Sequence, residues 1–161
     1  MQAKDLSREF PRSPFESIQG IPWLPRLIDK VRAKQAGTLG DYTPFPCGAD
    51  KRFIATFHVD GGALEQVIFG GASDEEVAAW CLANAGRTPV EAAAEYRRTQ
   101  FEPIAPERRE YLEEYKREIL ASRPDLDRSA LTRADNFATA ICIEEGYPIP
   151  EPAEPTPGLA P

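Results

Sequence analysis

Metal ligands and thiol pairs are scarce in this chain. One histidine, His58, and three cysteines, Cys47, Cys81 and Cys142, are spread over 161 residues with no CxxC pair. No zinc spacing exists, and no metal is expected. An odd number of thiols without a signal-peptide pattern points to a reducing compartment. The opening MQAKDLSREFPRSP lacks an apolar stretch. No later apolar run approaches the ~20 residues that span a bilayer. The expected location is the cytoplasm, with no membrane partner. No GK[ST] phosphate loop and no Glu-x-x-His pair occur, which removes P-loop and bundle-type diiron chemistry. No cofactor is expected.

An excess of cations is also missing. The net charge is −7. Residues 1–58 hold nine Lys/Arg against six Asp/Glu, a balance of +3, and residues 59–161 hold ten against twenty, a balance of −10. This acidic bulk excludes nonspecific nucleic-acid binding. A small anion can still find the mildly basic first part.

What is present is helical punctuation. Ser13, Pro14 and Glu16 predict a short helix stopped by Gly20, with Phe15 and Ile18 inward. Leu24, Leu27, Ile28 and Val31 recur at i, i+3, i+4, i+7, predicting an amphipathic helix that starts near Trp23 and ends at Gly37. TLGDYTPFPCGAD is a loop by its Gly and Pro content. Asp50 starts either a helix or a strand through KRFIATFHV. DGGALEQVIFGG reads as a helix, and SDEEVAAWCLANAG as a helix capped by Ser73, with Cys81 in the core. TPVEAAAEYRRTQF follows with Thr88 as cap. APERREYLEEYKREILASRPD puts Tyr111, Leu112, Tyr115, Ile119 and Leu120 on one stripe. DLDRSALTRADNFATAICIEEG reads as one last helix closed by Gly146. The expected fold is all-α, a single-domain bundle of about six or seven mostly short helices. An arm covers 1–12, the domain 13–146, and a Pro-rich tail, extended or disordered, 147–161.

LPRLIDKVRAKQAGTLGDY, followed by a loop with Cys47 and Asp50, resembles the hallmark segment of an uncharacterised bacterial family, the DUF5069 domain. DLSREFPRSP is similar to that family's arm, GGASDEEVAAW to its central helix, and FATAICIEEG to its closing helix. The resemblance spans residues 5–146. It implies a shared all-α fold and points to the first segment, but it supplies no mechanism.

Within that segment Arg26, Asp29, Lys30 and Ala33 form a second stripe beside the apolar one. Arg32 and Lys34 suit the negative helix end, but Arg26 lies near the start, where the dipole disfavours a cation. It fits either a bidentate contact to an anion or a salt bridge to an acid of the second half. Gly37 and Gly40 read as cap and turn residues. Thr38 and Tyr42 offer hydroxyls to a ligand or to the local backbone. Cys47 is a nucleophile candidate beside Lys51 and Arg52, or an inert thiol, with His58 as the one available base. Trp23 and Trp80 read as core aromatics rather than stacking platforms.

The candidate ligand-binding set is therefore Arg26, Asp29, Lys30, Thr38, Tyr42 and Cys47. The leading expectation is a binding or regulatory module for a small anionic molecule or a protein partner's acid. One alternative is an enzyme acting on a small anionic metabolite through the Arg26–Tyr42 segment. The other is a structural or oligomerising protein, in which Arg26 bonds internally and no cavity lies beside it.

Overall fold

The computed structural model describes residues 3–151. The arm lies against the end of the first long helix: Leu6 is buried, and its N–H donates to the Thr38 carbonyl at 2.8 Å. Gly40 lets this strap pass close by. A Cβ there would sit 2.8 Å from the Leu6 carbonyl oxygen, and its φ is +60°.

The short helix expected over 13–20 does not form. Ser13 and Glu16 make local contacts, Ser13 N–H donating to Glu16 Oε1 at 3.1 Å and Phe15 N–H to Ser13 Oγ at 3.3 Å. The chain then reverses. Gln19 and Gly20 take φ of 49° and 80°, positive at both central positions of a tight hairpin turn. Strands β1 (Ser17–Ile18) and β2 (Ile21–Pro22) pair antiparallel across it, with Ser17 opposite Pro22. The hairpin buries Ile21 and leaves Phe15 and Ile18 half-buried.

Helix α1 (Leu24–Ala36) starts after Trp23, carries Pro25 in its first turn and closes on Gly37 at φ 72°. It is the central element. Every residue from Leu24 to Ala33 is buried, the charged ones included. The loop after it leads to α2 (Gly48–Phe57), which resolves the helix-or-strand choice for 51–59 in favour of helix. Phe53 and Phe57, four apart, stack at 4.6 Å on its inner face. Asp60 caps α3 (Gly61–Phe69) by accepting from Ala63 N–H at 2.8 Å. Ser73 and Glu76 form the capping box of α4 (Asp74–Asn84). Helix α5 (Pro89–Phe101) has Pro89 at its first position. A 3-10 turn (Pro106–Arg108) leads into α6 (Arg109–Ser122). Leu112 and Ile119 of α6 are buried, but Tyr111, expected on the same stripe, is 66% exposed.

The last segment is two helices rather than one, α7 (Arg128–Arg133) and α8 (Phe137–Glu145). The break is at Ala134-Asp135-Asn136. Asn136 Oδ1 accepts from Thr139 N–H at 2.9 Å, a cap in place of a continued helix. The described residues thus hold eight α-helices. Tyr147 donates its hydroxyl to the Pro11 carbonyl at 2.8 Å. Residues 152–161 of the expected tail lie outside the described residues.

Two apolar clusters result. The larger joins α1 to α5 and the hairpin through Leu24, Leu27, Ile28, Phe53, Leu64 and Tyr96. The smaller joins α6, α7 and α8 through Leu112, Ile119, Leu131 and Ala140. Helix α8 serves both, because Ala140 belongs to the second cluster and Ile141 packs on the first.

Candidate functional site

Burying α1 on all sides forces its charges to find partners inside the protein. Each does so on a different element. Arg26 grips Glu145 of α8 with two parallel bonds, Nη1 to Oε2 and Nη2 to Oε1, both 2.7 Å. It also donates to the Arg12 carbonyl at 3.1 Å. The rings of Trp23 and Tyr42 lie 5.7 and 5.6 Å from its guanidinium carbon. Lys30 donates to Asp50 Oδ2 of α2 at 3.0 Å. Asp50 also accepts from Trp23 Nε1 at 2.8 Å and from Cys47 N–H at 2.9 Å. Asp29 takes the fork of Arg12 from the arm, with Nη2 to Oδ1 at 2.7 Å. Arg32 reaches Asp74 of α4 at 2.6 Å and the Ala72 carbonyl at 2.8 Å, and Arg12 binds the other oxygen of Asp74 at 2.5 Å.

This pairing sets the electrostatics. Burial works against the Arg26 charge, but the bonds and proximity to Glu145 outweigh it, and its pKa is raised. Burial and the neighbouring Glu145 push the Tyr42 hydroxyl up, so it stays protonated and donates to Glu145 Oε1 at 2.8 Å. Burial opposes the Asp74 charge too, yet Arg12 and Arg32 hold its pKa below the ordinary value.

The six residues singled out in the sequence fall into this framework. Arg26 and Tyr42 share Glu145, Lys30 shares Asp50 with the backbone of Cys47, and Asp29 belongs to Arg12. Thr38 donates its hydroxyl to the Lys4 carbonyl at 2.9 Å, fastening the arm. An anion at Arg26 would have to displace Glu145. Cys47 is the half-buried cap residue of α2, and His58 ends the same helix. Ten helical residues separate them by about 15 Å, so His58 is no base for Cys47. In the sequence Arg12 falls in the arm, Asp50 at the start of a helix or strand, and Asp74 in the acidic first turn after the Ser73 cap, and none of these positions points to its partner on α1. Glu145 had a legible signal, an acid in the last helical turn, where the dipole disfavours it.

A cleft of about 270 Å³ lies beside the framework, between α2, α5 and the start of α8. Trp23, Tyr96, Phe137 and Ile141 give it apolar and aromatic walls, and Arg52 and Thr99 bring polar groups to it. Trp23 and Tyr96 stand 6.5 Å apart, ring centre to ring centre. Trp23 holds a left-handed φ of 68°, a strained conformation for a tryptophan. Its indole bond to Asp50 fixes it there. Among the described residues, no group of three His, Cys, Asp or Glu is placed to hold a metal ion. None of their helices is long and apolar enough to cross a membrane.

A family model described as a domain of unknown function (DUF5069) matches residues 8–142, most of the chain. The chain belongs to the DUF5069 family. A search of curated proteins returned no match. The DUF5069 match takes in α1, its partners Arg12, Asp50 and Asp74, and the walls of the cleft, and it ends three residues before Glu145.

Proposed function

We propose that this DUF5069 protein is a non-catalytic, cytoplasmic binding module for a small anionic molecule. The α1 ion pairs are its scaffold, and the cleft beside Trp23 is its site. The observation that carries this reading is Arg52. It is half-buried at the cleft and has no carboxylate at ion-pair distance and no side-chain hydrogen bond among the described residues. The cations of α1 all have such partners. A concave, largely apolar site with few polar groups is the usual form of a small-molecule pocket, and this one falls just below the usual size range. The enzyme alternative loses support, because Arg26, Lys30 and Tyr42 are engaged with Glu145 and Asp50. The structural alternative describes the α1 segment well, but it leaves Arg52 without a role.

A thermal-shift screen against carboxylate- and phosphate-bearing metabolites tests the proposal, run on the wild type and on Arg52→Gln. A ligand that raises the melting temperature of the wild type and fails on the variant is the expected result. No hit, or hits indifferent to Arg52, would overturn it.

A further inference from the structure

Arg52 has a companion. Arg108, in the 3-10 turn before α6, is also half-buried, with no carboxylate at ion-pair distance and no side-chain hydrogen bond among the described residues. These two are alone in that respect among the buried and half-buried Lys and Arg of the described residues. The guanidinium of Arg108 lies 5.8 Å from the ring centre of Phe137, a wall of the cleft. Its Nη2 lies 3.7 Å from the position a Cβ on Gly48 would take.

Gly48 and Arg52 are four residues apart on α2, so they occupy the same face one turn apart. Long helical side chains lean over the turn on their N-terminal side. Arg52 therefore leans toward the very turn that Arg108 covers. Arg52 lines the aromatic-walled cleft and Arg108 lies over one of its walls, Phe137, so two cations without a carboxylate at ion-pair distance flank its edge among the described residues. Glu102 also borders the cleft, but it is engaged by Arg98. Such a pair repels itself until a counter-charge joins it, and Arg is the side chain suited to forked contacts with phosphate.

Resting on the reading above, we infer that the ligand is a small dianionic aryl phosphate. Its ring packs among Trp23, Tyr96 and Phe137, and its phosphate is held jointly by Arg52 and Arg108. The positive end of the α2 dipole lies beside that phosphate and adds to its attraction. The cleft volume of about 270 Å³ suits a single ring with one phosphate.

Titration calorimetry on the full chain with phenyl phosphate, benzoate and inorganic phosphate tests the inference. Phenyl phosphate is expected to bind at least about tenfold more tightly than either fragment. Arg52→Gln and Arg108→Gln should each weaken it by about 10- to 100-fold, the scale of one charge-assisted contact. Added salt should weaken it as well. Equal affinity for benzoate and phenyl phosphate, or indifference to Arg108→Gln, would overturn the dianion. Equal affinity for inorganic phosphate would overturn the ring. If none of the three probes binds while another anion in the metabolite screen binds through Arg52, this inference fails and the binding module stands. Silence in both experiments removes both.

Discussion

Arg26 and Glu145, 119 positions apart in the chain, meet in a two-bond pair whose side chains are 3% and 2% exposed. The pair ties the central helix to the last one. Each residue sits at the wrong end of its own helix dipole, and each neutralises the other.

Removing one partner should therefore be costly. Arg26→Ala is expected to lower unfolding free energy by about 3–5 kcal/mol, since it strands a buried carboxylate. Replacing both residues with leucine should recover part of the loss. Urea denaturation of the two variants checks this, and a single-variant loss below about 1 kcal/mol would mean that water already reaches the pair.

Acid should loosen the arm through Asp74. Its pKa is lower in the folded protein than the ordinary value of 3.8. The stability it contributes is thus complete above the unfolded value and is lost as pH falls through the folded one. Asp74→Asn should be less stable than wild type at pH 7. The gap should close as pH drops from roughly 5 toward 2. Thermal midpoints across that range, at constant ionic strength, measure it. A gap that stays constant down to pH 2 would remove Asp74 from the acid response.

The three thiols should separate in reactivity. Burial pushes Cys81 up to about 12, and burial also pushes Cys142 up, to about 11. Both stay protonated at pH 8, where the thiolate is the reacting form. Cys47 is half-buried at the start of α2. Brief alkylation of the native protein, read by intact mass and peptide mapping, should label Cys47 first and leave the other two for the denatured state. Early labelling of Cys81 would mean that the main core opens readily.

The helical plan was legible because caps and glycines spell it out. Ser73, Thr88, Gly37 and Gly146 mark real helix ends. Two errors have local causes. Gly20 ended no helix, because a Gln19-Gly20 turn with both φ positive makes a hairpin instead. The last segment kept its apolar spacing across Asp135-Asn136, and periodicity alone gave no sign that Asn136 would cap a new helix. The α1 charges were visible as an oddity at Arg26. Glu145 was marked only as an acid at an unfavourable helix end, and which partner each α1 charge takes was not legible, because Arg12, Asp50, Asp74 and Glu145 come from four separate elements and spacing carries no information across that distance. Arg52 and Arg108 were hidden for the opposite reason. What sets them apart is the lack of a partner, and that is a property of the folded surroundings.

The burial of α1 on all sides has a consequence for the order of synthesis. At ~5–20 residues per second, the ribosome delivers Glu145 roughly 6–24 s after Arg26. Throughout that interval the central helix carries a cation with no counterpart, at a position the finished core surrounds. Sealing it early in an apolar collapse would be penalised, so the unpaired charge keeps the nascent segment hydrated. The finished burial of α1 thus depends on a residue that is made 119 positions later.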